Sequence, residues 1–283
     1  MKVIGILLLL VVIYIIWQYF ELKKFRVTPF EYHTKKIQGS LQLAVLADLH
    51  AHVYGKDNDI LLESIRELKP DLILIAGDLI VSRYPKTYEI SYRFLRELVK
   101  IAPVYFSNGN HESRVSRVQV VQTEAFLEYE KKVSRLGVHI LNNESEIVQV
   151  GEEQICISGL EIPLGCYGKR KYEPLKMEFI EEALGEAQNR YLQILLAHNP
   201  RFAQDYAWWG ADLTFCGHNH GGLVRIPGIG SLISPQYELF PKYDAGEYDI
   251  IGKKVYVSKG LGTHTFHIRI FDRAEVLSVK INP

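Results

Sequence analysis

The sequence predicts an α/β fold preceded by one transmembrane helix. Three features indicate this class: a long apolar run at the N-terminus, buried strand-like runs that alternate with amphipathic segments, and regular spacing between those runs. Each unit of strand, crossover and strand takes about 30 residues, which suits parallel βαβ units with right-handed crossovers. No internal repeat or linker is evident after residue 40, so one globular domain is expected.

The N-terminal run VIGILLLLVVIYIIWQYF is apolar except for Gln18. As a helix it would be ~27 Å long, close to the hydrocarbon thickness of a bilayer. Bulky residues follow it where a signal peptide would have a small-residue cleavage site, which favours an uncleaved anchor. Lys23, Lys24 and Arg26 outnumber Lys2, and the positive-inside rule then places the domain in the cytoplasm. The expected division is an anchor (1–22), a juxtamembrane segment (23–40) and a domain (41–283).

The first half of the domain reads as alternating strands and helices. The runs LQLAVLADLH, DLILIAGDLI and PVYFSNGNHE are mostly apolar, as strands covered on both faces are. Helices are predicted between them at residues 59–69, which Pro70 ends, and at about 90–100. A longer helical stretch is expected from residue 113 to about 136.

The second half repeats the pattern less regularly. HILNN, EIVQV and QICISGL are predicted to be short strands, followed by a helix over 174–188. YLQILLAH and DLTFCGH resume the buried strands. A late strand is expected at 255–258, and the alternation over 267–281 predicts a hairpin-like pair.

Charge and cysteine content exclude some function classes. Lys plus Arg and Asp plus Glu both total 33, so the basic surface of a nucleic-acid binder is not expected. The three cysteines cannot all pair, which disfavours a disulfide-stapled secreted domain. An anionic substrate would therefore be held by local charge or by metal.

Metal-ligating residue types end nearly every predicted strand. They are Asp48, His50, Asp78, Asn110, His111, His198, His218 and His220. The carboxyl ends of strands in an open α/β sheet line one rim, where ligands bind. Each residue alone has an ordinary alternative, such as capping a turn or forming a satisfied core histidine. Together they predict a single site.

Two carboxylates, an amide oxygen and four imidazoles are more than one tetrahedral ion needs. They suit two divalent ions about 3.5–4 Å apart that share a bridging carboxylate. The mixed N/O donors favour Mn, Fe or Zn, with manganese preferred, over magnesium or calcium alone. Such a centre suits phosphoester hydrolysis with a metal-bridging hydroxide as nucleophile. A scaffold that keeps the fold to bind a partner at the membrane is the alternative, and a nuclease is disfavoured by the neutral charge.

The motifs DLH, GD, GNHE, AH and GHNH, in this order between Asp48 and His220, resemble the signature of the calcineurin-like metallophosphoesterases. The resemblance implies an αββα sandwich with a dimetal site at the strand ends. One metal would take Asp48, His50 and His220, the other Asn110, His198 and His218, with Asp78 bridging. His111 would be the catalytic histidine that does not bind metal and protonates or stabilises the leaving group.

Other segments resemble one branch of this family. The apolar N-terminus, HNHGG followed by LVRIP, and the late VSKGLG and DRAE are similar to the membrane-anchored bacterial branch of YkuE and YaeI. Where the branch is expected to read GHTHGGQ, this chain has Leu223 in the last place. The implied partners are the membrane and a phosphoester substrate, of lipid or cell-envelope origin if the anchor determines access.

Overall fold

The computed structural model describes residues 2–117, 120–169, 171–222, 224–263 and 268–283. The helices are α1 (Lys2–Glu21), α2 (Asp59–Glu67), α3 (Lys86–Leu98), α4 (Asn110–Arg117), α5 (Val120–Arg135), α6 (Met177–Leu184) and α7 (Ala203–Trp209). The strands are β1 (Phe25–His33), β2 (Leu41–Leu46), β3 (Leu72–Ala76), β4 (Val104–Ser107), β5 (Val138–Ile140), β6 (Glu144–Val150), β7 (Glu153–Leu160), β8 (Leu192–Ala197), β9 (Leu213–Cys216), β10 (Val224–Ile226), β11 (Gly230–Ile233), β12 (Gly246–Ile250), β13 (Lys253–Val257) and β14 (Ala274–Asn282).

Two six-stranded sheets form the centre of the domain. The first has the strand order β1-β14-β2-β3-β4-β5, and the second β12-β13-β9-β8-β7-β6. Strands β2 to β5 run parallel, as do β7, β8, β9 and β13. Strands β10 and β11 form a separate hairpin.

Alternation along the strands builds three apolar layers. Leu43 and Val45 of β2 pack with the facing strands of the second sheet, whereas Ala44 and Leu46 pack with helices α2 and α3. Successive side chains of a strand point to opposite faces, so one strand supplies both layers. Helices α6 and α7 cover the outer face of the second sheet. The result is the expected αββα sandwich.

Helix α1 stands apart from these layers. Its segment Ile4–Glu21 has a mean hydropathy of 2.1 and is long and apolar enough to cross a membrane. The large apolar side chains from Ile4 to Ile13 are between 51% and 62% exposed. Among the described residues, helix α1 contacts the domain through its C-terminal part.

The segment 23–40, expected to be a juxtamembrane connection outside the domain, contributes to the first sheet. Strand β1 lies within it and pairs in parallel with β14 from Phe25↔Ala274 to His33↔Asn282. Pro29 is tolerated because β1 is an edge strand. The sheet therefore starts well before residue 41.

The prediction of a hairpin-like pair of strands over 267–281 is wrong. Residues 274–282 form the single strand β14, which lies between β1 and β2 and pairs antiparallel with β2. The alternating sequence of β14 arises because its two faces are buried against different layers, and it does not mark a turn between two strands. Residues 264–267 lie outside the described part of the chain.

Two predicted helices differ in extent. The stretch from 113 to 136 is divided between α4 and α5, with residues 118–119 outside the described ranges. The helix predicted over 174–188 is shorter and ends at Leu184, because Gly185 adopts a positive φ of 70°. The remaining predicted elements are confirmed within a few residues.

Candidate metal centre

The structure brings the predicted ligands together at one rim. Asp48 and His50 follow β2, Asp78 follows β3, His198 follows β8, and His218 and His220 follow β9, while Asn110 and His111 begin α4. The carboxylate and imidazole atoms of Asp48, His50 and His220 lie within 4.8 Å of one another, and so do those of Asp78, His198 and His218. Asn110 Oδ1 is buried and accepts no hydrogen bond from the described residues.

The backbone at these positions is unusual. Asp48, His50, Asp78, His218 and His220 all have left-handed φ values, between 47° and 68°. Non-glycine residues seldom adopt this region, and clusters of such residues occur where function requires a fixed side-chain direction. The local conformations therefore support a constructed site rather than a set of polar loops.

Backbone carbonyls fix the tautomers of three histidines. The pairs are His198 Nδ1 with Ala76 O (2.6 Å), His50 Nδ1 with Ile80 O (3.3 Å) and His220 Nδ1 with Gly262 O (3.2 Å). A carbonyl oxygen only accepts, so each Nδ1 donates its proton to the carbonyl. In a neutral ring Nε2 then presents a lone pair, as in metal-ligating histidines.

These lone pairs converge with carboxylate oxygens. His50 Nε2 is 3.2 Å from His220 Nε2, which is 3.3 Å from Asp48 Oδ1. Near Asp78, the carboxylate Oδ2 is 3.1 Å from His198 Nε2. Buried acceptors so close to one another repel unless a cation or a proton lies between them. The residues therefore fit divalent cations by position and by donor type.

Without metal, burial and mutual attraction shift the ionisation of this group. Burial raises the pKa of Asp48 to about 7, although the nearby His198 opposes this change. Burial also opposes ionisation of Asp78, but His198 and His111 hold its pKa well below the usual range. Burial disfavours charge on His198, but Asp78 and Asp48 raise its pKa to about 10. In the metal-free site, the proton on His198 thus supplies the positive charge that a bound cation would supply.

His111 differs from the other histidines in its hydrogen bonding. The backbone N–H of Ser82 donates to His111 Nδ1 at 2.9 Å, so this nitrogen is the acceptor and Nε2 carries the proton. The backbone N–H of His111 donates to Asp78 Oδ1 at 2.8 Å. His111 lies beside His50 and Asp78, with one ligand-type atom of each of the three within 4.8 Å of the others, and it differs from His50 in the proton that its tautomer places on Nε2.

Glu112 stabilises the loops that carry these groups. Its buried carboxylate accepts from the backbone N–H groups of Asp78 (2.9 Å), Ile80 (3.1 Å) and Gly109 (3.0 Å). It therefore joins the loop after β3 to the start of α4. The final letter of the GNHE motif was the sequence signal for this role, which the sequence reasoning did not assign.

A second supporting segment, residues 259–262, was also not recognised from the sequence. The N–H of Gly262 donates to Asp48 O at 2.6 Å, and that of Leu261 to Ala47 O at 3.0 Å. Gly260 has a φ of 68°, and a Cβ there would lie 2.6 Å from the Cβ of Asp48. The glycines of VSKGLG were the available signal.

A cleft of about 290 Å³ lies beside Asn219, the residue between the predicted ligands His218 and His220. In its wall, the Arg201 guanidinium lies 4.2 Å from the Tyr172 ring and pairs with Glu238 at 3.1 Å. Leu223 lies outside the described residues.

Comparison with known proteins agrees with this site. The family model for calcineurin-like phosphoesterases matches residues 41–222. Phosphodiesterase YaeI of Escherichia coli is 26% identical, over 93% of this chain and 88% of its own length. The uncharacterized metallophosphoesterase YkuE of Bacillus subtilis is 26% identical, over 83% of this chain and 77% of its own. A zebrafish (Danio rerio) transmembrane protein with a metallophosphoesterase domain is 26% identical, over 89% and 55%.

The chain therefore belongs to the calcineurin-like phosphoesterase family, as its motifs predicted. It is a hydrolase of phosphoester bonds that uses divalent metal held by clustered histidines and aspartates.

Proposed function

We propose that this chain is a dimetal-dependent phosphoesterase that hydrolyses a phosphomonoester or phosphodiester. The observation that carries the proposal is the convergence of buried acceptor atoms around two centres joined by Asp78. A scaffold that binds no metal would have no need to keep these acceptors at mutually repulsive distances.

Each residue has a defined role in this proposal. Asp48, His50 and His220 would hold one ion, Asn110, His198 and His218 would hold the other, and Asp78 would be shared by both. When bound, two such ions clamp phosphoryl oxygens and lower the pKa of water so that hydroxide forms near neutral pH. The mixed oxygen and nitrogen donors favour Mn, Fe or Zn, with manganese preferred.

His111 acts on the leaving group. Because Ser82 fixes its tautomer, Nε2–H is the group that would donate to the oxygen that departs. A neutral imidazole in this position donates a proton or stabilises the developing negative charge. The chain's own hydrogen bonds thus supply a general acid separate from the ligands.

The name of YaeI, a phosphodiesterase, supports a diester substrate. The cleft beside Asn219 offers Arg201 and aromatic rings to the part of the substrate beyond the phosphate. The guanidinium of Arg201 is suited to a second anionic group of the substrate.

We also propose that α1 is an uncleaved membrane anchor and that the domain is cytoplasmic. Gln18 and Glu21 are buried against the domain, which supports retention of the helix. Lys23, Lys24 and Arg26 follow the apolar segment, and this bias supports the cytoplasmic side. Proteolysis of the domain in sealed inverted vesicles, but not in right-side-out vesicles, is the expected result; the reverse pattern would contradict it.

Hydrolysis assays test the central part of this proposal. The full-length protein in detergent is stripped with chelator, reloaded with Mn²⁺, Zn²⁺, Fe²⁺ or Mg²⁺, and assayed with p-nitrophenyl phosphate and bis-p-nitrophenyl phosphate. Asp78→Asn is expected to abolish turnover. Asp57→Asn is the matched control, because Asp57 also has a left-handed φ, of 54°, but is exposed. Two bound metals without turnover of either ester would indicate a narrow substrate range, whereas the absence of bound metal would favour the scaffold.

The anchor makes a lipid or cell-envelope phosphoester the proposed substrate class. In nanodiscs we expect lipid phosphoesters to be hydrolysed faster than soluble esters of the same type. Equal rates on both would remove the support for this class.

A further inference from the structure

The strand directions place the metal centre and the membrane anchor at the same edge of the domain. Strand β2 ends at the metal rim, and β14 runs antiparallel to β2 and so begins there. Strand β1 is parallel to β14 and also begins at the rim. Because β1 follows α1 after a short turn, the anchor ends beside the metal centre.

Buried polar contacts hold the anchor in this position. The side chain of Gln18 donates to Arg269 O and accepts from Arg269 N–H, each at 2.9 Å. One turn later, Glu21 forms a two-pronged ion pair with Arg273, at 2.8 and 3.1 Å. Contacts at two successive turns of the helix favour one orientation of the rim relative to the anchor.

The loop of residues 268–273 also contacts the metal centre. The Arg269 guanidinium donates to Gly262 O at 2.7 Å, and this carbonyl also accepts from His220 Nδ1. Asp272 packs against Gly221, where a Cβ would lie 2.1 Å from its Oδ1. Anchor, loop and ligand therefore form one contiguous unit.

Apolar side chains project from this edge. Phe271 lies in the loop, and Ile229, Leu239 and Phe240 lie on the excursion that leaves β9 and returns to β12 at the rim. Each of the four is between 60% and 68% exposed. The hairpin β10–β11 is attached beside His220, because Gly222 packs against Ser231. Large exposed apolar groups on segments that meet at one edge indicate an interaction surface.

We propose that this apolar rim, defined by Ile229, Leu239, Phe240 and Phe271, lies in the bilayer interface, so that the metal centre opens toward lipid headgroups. The proposal rests on the proposed anchoring and deepens the proposed substrate class. The bilayer is the occupant because Phe271 lies in the loop that contacts the anchor through Arg269 and Arg273. Lys23 and Lys24 are placed to meet anionic headgroups. A phosphoester at the membrane surface would reach the site without leaving the bilayer.

Spin labels on the full-length protein test this surface. Phe240→Cys and Phe271→Cys are labelled in nanodiscs of phosphatidylcholine and phosphatidylglycerol; the three native cysteines are buried. Ile251→Cys is the matched control: all three positions are exposed and have left-handed φ values of 49° to 54°. Ile251 lies in the turn between β12 and β13, at the opposite end of the second sheet.

We expect labels at 240 and 271 to be relaxed mainly by lipid-soluble oxygen, and the label at 251 by a water-soluble nickel complex. Water-like relaxation at all three positions would overturn the proposal. If the rim labels are immersed but no ester is hydrolysed, the proposed function fails and the membrane seating stands. If esters are hydrolysed and the rim labels stay in water, the function stands and the seating fails.

A second arm links the surface to substrate access. Phe240→Asn and Phe271→Asn place a residue that tolerates the left-handed region at each position. Each is expected to lower turnover of phosphatidylglycerol or phosphatidic acid relative to bis-p-nitrophenyl phosphate by about tenfold, since burial of a phenyl ring is lost. Ile251→Asn should leave this ratio unchanged. An unchanged ratio in both phenylalanine variants would count against the proposal.

Discussion

At the level of single residues, the partner of Nδ1 distinguishes His111 from three of the proposed ligand histidines. His50, His198 and His220 donate through Nδ1 to carbonyls, whereas His111 accepts from Ser82. The GNHE motif predicted that His111 differs, but only the tautomer supplies a physical reason. That reason depends on backbone atoms distant in sequence, which residue patterns do not reveal.

Replacement of His111 by Gln should separate catalysis from metal binding. We expect kcat to fall by about 10²–10⁴-fold, the usual contribution of a general acid, while two metals remain bound. Steady-state kinetics and metal analysis by mass spectrometry measure the two effects. Loss of a metal in this variant would instead make His111 a ligand.

Metal binding should release protons. With its pKa raised to about 10, metal-free His198 is charged at neutral pH, whereas a ligand imidazole must be neutral. Calorimetric titration of Mn²⁺ in buffers of different ionisation enthalpy should therefore show net proton release near neutral pH and less of it as the pH approaches 10. Enthalpies independent of the buffer would contradict this account.

At the level of elements, the segment after β13 supports the loop after β2. Gly260 has no room for a side chain because its missing Cβ would clash with Asp48. The sequence showed the glycine cluster, but its contact with Asp48 depends on β13 and β2 lying in facing sheets. Strand β1 was missed for a similar reason, since its partner β14 is at the other end of the chain.

Gly260→Ala should damage the metal centre more than a comparable change elsewhere. Gly252→Ala is the control, because Gly252 also has a positive φ, of 76°, but has open space around it. Both changes should cost about 1–2 kcal/mol of unfolding free energy through the left-handed backbone. Gly260→Ala alone should weaken Mn²⁺ affinity, measured by titration calorimetry; equal affinities in both variants would show that the clash is relieved without moving Asp48.

At the level of the whole molecule, strand order and strand direction determine function. The sequence sufficed for the αββα sandwich and for the convergence of strand-end residues, because buried strands and their polar ends are local patterns. It did not predict that the anchor ends at the metal rim, since this depends on the long-range pairing of β1, β14 and β2. The position of helix α1 relative to the candidate metal site is thus a tertiary property.

Metal should stabilise the whole fold. Buried acceptors from both sheets repel one another without a cation, and binding to the folded state alone adds about 2.7 kcal/mol at a metal concentration of 100 times Kd. Chelation should therefore lower Tm by several degrees in the wild-type protein and by less in Asp78→Asn. Equal shifts in the two proteins would place the stabilising metal elsewhere.

Anomalous X-ray scattering from crystals soaked in Mn²⁺ tests the dinuclear centre most directly. The account predicts two peaks about 3.5–4 Å apart, one on each side of Asp78. One peak should contact His50 and His220, and the other His198 and His218. A single peak, or none at this rim, would contradict the dimetal mechanism.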